Sequence, residues 1–179
     1  MPADGQGNGH SPAIVPFEDR HAPAVRALFI AVNRLLAPPG MRDAFEAYIA
    51  RSLAEEIDRI PEYYADHDGG FWVALKADAV AGMFGLERCG PDAMELRRMY
   101  VDPSARRGGI ARAMLAFAEA ECRRRGAARR ELSTSEVQPA ALALYRNSGF
   151  RLTREEAADT ASNKTIGGGI RRFYFEKQV

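Results

Sequence analysis

Cysteine is scarce in this chain and a charge imbalance is missing. Cys89 and Cys122 are the two cysteines, far apart and outside any C-x-x-C or His/Cys ligand spacing. That argues against a disulfide framework and against a structural zinc site. No metal is expected, and isolated thiols fit a reducing cytoplasm. The 25 Lys and Arg nearly cancel the 24 Asp and Glu, for a formal net charge of +1. Neither nucleic acid nor an anionic membrane is therefore expected as a partner. Long apolar runs are missing too. The most apolar stretch, Phe71 to Leu86, is broken by Lys76 and Asp78, so no membrane span is expected. Met1 to Pro12 is rich in Gly, Asn, Asp and Pro and has no basic segment followed by an apolar one. It reads as a flexible tail (1–12) rather than a secretory signal.

What is present suits a single domain over residues 13–179. Hydrophobic residues make up 46% of the 179, enough for a real core. Ala13 to Val15 is a short strand candidate. Val25, Leu28, Phe29 and Val32 recur at helical spacing in a helix ending near Leu36. Ala37-Pro38-Pro39-Gly40 breaks the chain. A second helix is expected over Arg42 to Ile60, with Phe45, Tyr48, Ile49, Leu53 and Ile57 as its apolar stripe. Phe71 to Leu75, Ala79 to Glu87 and Met94 to Val101 form a three-strand meander. A helix opens at Gly108 and Gly109 and stops near Gly126. Then come a strand over Glu131 to Thr134, a helix over Pro139 to Asn147, and strands over Phe150 to Thr153 and Ile170 to Lys177. Glu155 to Gly169 reads as a loop. This order predicts an α/β (α+β) architecture rather than a doubly wound nucleotide fold.

The residues with chemical content cluster between Glu95 and Ala111. A strand ends, a short loop follows, and glycines stand where a long helix begins. The first turn of a helix has backbone N–H groups without partners, and its dipole favours negative charge. Gly108 and Gly109 leave that backbone uncovered, and Arg106 and Arg107 add cationic donors beside it. By itself the pattern also fits an ordinary Gly-containing loop with solvated arginines. It has neither a Walker A Lys-Ser/Thr ending nor a G-x-G-x-x-G turn with a downstream acid.

Arg106-x-x-Gly109-x-Ala111 resembles the R/Q-x-x-G-x-G/A signature of the GNAT N-acetyltransferase superfamily. A second block is similar to the family's later elements: Leu132-Ser133-Thr134-Ser135, then Gln138-Pro139-Ala140-Ala141, Leu144-Tyr145 and Gly149-Phe150. Gln138 stands where the family usually has Asn. The resemblance implies a mixed central sheet of about six to seven strands flanked by about four helices. It implies acetyl-CoA as cosubstrate, with the backbone of Met99, Tyr100 and Val101 on pantetheine and the thioester carbonyl. The segment Arg106, Arg107, Gly108, Gly109, Ile110 and Ala111 would hold the pyrophosphate, Gln138 would contact coenzyme A, and Tyr145 would protonate the departing thiolate. Preorganised N–H donors suit a carbonyl oxygen that gains charge, and a phenol suits a thiolate leaving group. A core aromatic is the alternative for Tyr145.

Glu95 is the candidate general base, because an acceptor ammonium must lose a proton before attack. Even spacing along the strand sets it on the face of Val101. A salt-bridged strand carboxylate, paired with Arg97, is an equal alternative. Glu87 is the reserve, although it reads more simply as a solvated carboxylate beside a turn. Phe45, Tyr48 and Tyr63 are candidate acceptor contacts that read more simply as core, while Arg123 to Arg125 and Arg129-Arg130 read as solvated charges. Ile60, Tyr64, Phe71-Trp72-Val73-Ala74 and Thr134-Ser135-x-x-Gln138 also look like the branch containing animal cysteine-conjugate N-acetyltransferases. The expected activity is direct acetyl transfer to a small-molecule primary amine. A protein acetyltransferase and a non-catalytic acyl-CoA sensor are its rivals, and a homodimer is left open.

Overall fold

The computed structural model describes residues 11–179, so most of the expected tail, Met1 to Pro12, lies outside the described residues. Seven strands form one sheet: β1 (Ala13–Pro16), β2 (Gly70–Lys76), β3 (Ala79–Gly90), β4 (Ala93–Val101), β5 (Arg129–Ser135), β6 (Arg151–Ala158) and β7 (Ile170–Gln178). Their spatial order is β1-β2-β3-β4-β5-β7-β6. All neighbours are antiparallel except β4 and β5, which run parallel. A parallel pair needs a crossover, here α4 (Ile110–Arg124). The other helices are α1 (Ala22–Leu36), α2 (Arg42–Glu55), α3 (Ile60–Asp66) and α5 (Pro139–Asn147).

Both faces of the sheet are covered, which explains the nearly unbroken apolar reading of β2. The strand period of two sends Phe71 and Val73 to the α1, α2 and α3 side, with Phe29, Tyr48 and Tyr64. Trp72 and Ala74 face the other way, against Met114 and Leu115 of α4. Among the described residues no helix is long and apolar enough to cross a membrane.

The structure departs from the sequence expectation at three places that shape the site. The expected second helix is two, because Glu56 adopts φ −141° and ψ −60° and a short 3-10 turn over Ile57–Arg59 follows. Pro61 then sits in the first turn of α3, where a missing N–H is tolerated. β6 runs to Ala158, well into the expected loop. It is a mostly exposed edge strand held by its ladder to β7, so it shows no apolar alternation. Finally, β4 contains a bulge. Arg98 has φ +53°, and the pairing with β3 shifts between Met83 and Gly85. The extra residue breaks the strict alternation of β4, so counting even steps from Glu95 to Val101 does not fix a shared face.

Candidate active site

The β4–β5 ladder pairs only Ala93 with Arg129, Met94 with Arg130 and Glu95 with Glu131. Past Glu95 the ladder ends, and the bulge at Arg98 follows on β4. A cavity of about 900 Å³ lies beside this part of the strand, within the size range of small-molecule sites. Met99, Tyr100, Val101, Arg106, Arg107, Gly109, Ile110, Ala111, Gln138 and Tyr145 all line it. Of the expected cosubstrate residues, only Gly108 is not on its wall.

The loop from β4 to α4 is built locally. The Asp102 carboxylate accepts from Ser104 N–H at 2.8 Å and from Ser104 Oγ at 2.6 Å, fixing a short 3-10 turn. Arg107 and Gly109 both have positive φ, +65° and +78°. Gly109 takes this conformation without steric cost and stands at the helix N-cap. Its carbonyl accepts the first helical bond, from Ala113 N–H at 3.0 Å. The N–H groups of Ile110, Ala111 and Arg112 belong to the first turn, which has no intrahelical acceptor to offer them. A Cβ built on Gly109 would meet nothing within 4 Å.

The opposite wall comes from α5 and the two residues before it, Val137 and Gln138. Thr134 Oγ1 donates to Gln138 Oε1 at 2.9 Å. That leaves the Gln138 amide hydrogens free to donate into the cavity, as an Asn there would do. Tyr145 packs its ring near Phe150 and Phe175. Burial, then the neighbouring Tyr100, raises its phenol above the ordinary value of 10.0, against the opposing pull of Arg130. It therefore stays protonated at neutral pH.

A second, smaller cavity of about 80 Å³ adjoins the first. Met99, Tyr100, Gln138 and Tyr145 line both. Its further wall carries Glu95, Tyr48, Lys164 and Arg172. Lys164 reaches in from the segment between β6 and β7, and its Nζ lies 2.9 Å from Glu95 Oε2 and 2.9 Å from Glu87 Oε1. The ion-pair partner of Glu95 is thus Lys164, not Arg97. Arg172 donates to Ser133 Oγ at 2.8 Å, while its buried Nε has no partner among the described residues.

Glu87 is not the solvated carboxylate expected beside a turn. It is 4% exposed and accepts from Tyr63 Oη at 2.7 Å and from Arg97 at 3.1 Å. Burial alone would raise its carboxyl, but Arg97, Lys164 and Tyr63 outweigh that and draw it down to about 2. Arg130 corrects a second expectation. It is buried, donates to the Leu115 carbonyl at 2.7 Å and lies over the Phe150 ring.

The sequence reading missed Glu56, the centre of the charged network beneath the bulge. Its side chain is fully buried. Arg97, Arg98 and Tyr64 donate to it at 2.8, 2.7 and 2.6 Å. Burial opposes its charge, yet the two guanidiniums win and hold its carboxyl below the ordinary value. Arg98 also donates to Tyr48 Oη at 2.6 Å and to the Asn163 carbonyl at 2.6 Å. The one available signal was spacing, since Glu56 falls on the helical stripe of Ile49, Leu53 and Ile60. Lys164 lies in a polar loop and left no signal.

Comparison with known proteins bears on the family and the fold. Residues 39–150 match the model of the acetyltransferase (GNAT) family. The chain is 33% identical over 112 residues to N-acetyltransferase 8 of Homo sapiens, covering 59% of this chain and 49% of that protein. It is 37% identical over 93 residues to IAA acetyltransferase of Azospirillum brasilense, covering 48% and 57%. The chain spans about half the length of the curated relatives it matches. Among solved structures, PaiA N-acetyltransferase from Thermoplasma acidophilum, in complex with coenzyme A, superposes with a TM-score of 0.73 at 18% identity, covering 94% of this chain and 99% of that one. An acetyltransferase of the GNAT family from Staphylococcus aureus gives the same TM-score, 0.73, at 18% identity over 94% and 99%. Spanning the bulged strand, the loop and helix after it and the whole Tyr145 helix, the family match leaves one conclusion: the chain belongs to the acetyltransferase (GNAT) family.

Proposed function

We infer that this chain, as one domain over residues 13–179, transfers an acetyl group from acetyl-CoA to a primary amine of a small molecule. One observation carries the reading. Two cavities meet at Met99, Tyr100, Gln138 and Tyr145. One ends at a glycine-marked helix N-terminus, the other carries the Glu95 carboxylate on its wall. The larger fits the cosubstrate on its own chemistry. First-turn N–H groups with Arg106 and Arg107 suit a pyrophosphate, β4 backbone left without a β5 partner suits the amides of pantetheine, and the Gln138 amide offers a donor. Acetyl-CoA supplies the acetyl thioester when bound. That PaiA was solved with coenzyme A supports the assignment.

The chain's own residues divide the remaining work. The backbone of Met99 to Val101 orients the thioester carbonyl and stabilises its developing charge. Tyr145, kept protonated by burial, gives its proton to the leaving sulfur. Glu95 takes the proton of the acceptor ammonium through water. Cys89 is exposed yet a poor nucleophile, because partial desolvation and the Glu131 and Glu95 carboxylates push its thiol up to about 12. Burial likewise raises the thiol of Cys122. Direct transfer in a ternary complex is therefore favoured over an acyl-cysteine route. The smaller cavity, crossed by residues 159–169, suits a small acceptor better than a peptide.

A thermal-shift titration with acetyl-CoA tests the reading. Ligand at a hundred times its Kd should stabilise the wild type by about 2.7 kcal/mol. A folded Gly109→Trp variant should lose that shift, because its side chain projects into the cleft. Amine-dependent release of free thiol then tests the transfer. No shift in a folded wild type, or no thiol release with any amine, rejects the enzyme.

A further inference from the structure

The acceptor cavity is already tenanted by a primary ammonium of the chain itself. Lys164 Nζ sits between Glu87 Oε1 and Glu95 Oε2, at 2.9 Å from each. It is the primary amine on a wall whose other cations, Arg97, Arg98 and Arg172, are guanidiniums. The two carboxylates face each other across the β3–β4 ladder as a directly paired register position. Two carboxylates so placed would repel without a cation between them. Glu87 has Arg97 as a second counterion, whereas Glu95 pairs with Lys164 alone among the described residues.

We propose that Glu87 and Glu95 form the ammonium subsite for the acceptor, that Lys164 is its internal placeholder, and that an acceptor amine must displace Lys164 Nζ to bind. This deepens the acyltransferase reading and rests on it for the word acceptor. The subsite itself needs only a protonated primary amine.

The fold makes displacement feasible. Lys164 belongs to a strap, residues 159–169, that crosses the acceptor side of the cleft. The strap's turn is self-contained, since Ser162 N–H donates to the Thr165 carbonyl at 2.8 Å and Ser162 Oγ accepts from Lys164 and Thr165 N–H at 3.0 and 3.1 Å. Besides Lys164, Arg98 holds the Asn163 carbonyl at 2.6 Å and Arg51 holds the Ser162 carbonyl at 3.4 Å. These contacts do not depend on Lys164, so its side chain can swing out while the turn persists. The Lys164 side chain is 45% exposed, so it has solvent to swing into. At about 80 Å³ with Lys164 in place, the cavity is well below what an ordinary small-molecule ligand fills.

The test measures binding and needs no turnover. Benzylamine, protonated at neutral pH, is titrated calorimetrically into wild type, Lys164→Met and Lys164→Arg, with and without saturating coenzyme A. Amide hydrogen exchange of residues 159–169 is followed in parallel, and circular dichroism checks folding. Removing the internal competitor should tighten benzylamine binding to Lys164→Met roughly tenfold. Lys164→Arg should remain near wild type. Saturating benzylamine should leave exchange in the strap little changed in wild type and in Lys164→Met alike, because the turn persists when the side chain swings out. If folded Lys164→Met binds benzylamine no tighter than wild type, or not at all, the subsite is wrong. Failure of coenzyme A to bind, with the contrast between variants intact, would instead remove the cosubstrate assignment and leave the ammonium subsite standing.

Discussion

The acid role proposed for Tyr145 rests on where its side chain lies and on what buries it. Tyr145 lies at the junction of two cavities, on a helix whose first turn carries Gln138 at its N-cap. Burial raises its phenol, so the group holds its proton across the working pH range. An acid that stays protonated has to be placed against the leaving sulfur, because its driving force is modest. Tyr145→Phe should therefore lower kcat by about a hundredfold. The acetyl-CoA thermal shift should survive, because the ring and its packing are kept. An unchanged kcat would reduce Tyr145 to a core aromatic. The base role proposed for Glu95 rests on its position on β4 ahead of the bulge and on its hydrogen bond with Lys164.

At the scale of elements, the strand–loop–helix from Met94 to Arg124 was legible in the sequence, and so was α5 to the residue. Both follow local rules: Pro103 after a strand, glycines before a helix, Pro139 in a first turn. The bulge was not legible, since nothing in Arg97-Arg98-Met99 marks a positive φ at an arginine. Tertiary contacts impose it. Glu56 and Tyr48 receive the Arg98 guanidinium, and Glu56 can do so because the chain breaks between α2 and α3. Gly85 belongs to the same construction. A Cβ there would fall on the Tyr64 hydroxyl, which donates to Glu56 at 2.6 Å. Gly85→Ala should displace Tyr64 and destabilise the protein by about 1–3 kcal/mol. Tyr64→Phe loses the same bond, so the double variant should cost clearly less than the sum of the singles in urea unfolding. Additive effects would mean that the Gly85 position does not act through Tyr64.

The molecule as a whole is organised around a charge cluster between its sheet and its α2–α3 layer. Glu56 and Glu87 are buried beneath the acceptor cavity, with Arg97 between them. Burying ions costs free energy unless each is paired, so the cluster ties stability to pH. Both carboxyls lie below their ordinary value of 4.5 in the folded state, Glu87 at about 2. Between about pH 5 and pH 2 the unfolded chain therefore binds protons that the folded chain refuses. Stability from these groups is fully present above about pH 5 and is lost as pH falls towards 2. Glu87→Gln removes one such group and leaves Arg97 and Lys164 short of a counterion. At pH 7 it should be less stable than wild type by about 3 kcal/mol. The gap should close as pH falls, because wild-type Glu87 becomes neutral as well. Urea unfolding at intervals from pH 7 to pH 2.5 measures it. Curves that stay parallel would mean that the Glu87 charge is not what stabilises the folded state. Converging curves would show that the cluster under the acceptor cavity stabilises the fold through its charge, on the same carboxylate that the proposed ammonium subsite uses.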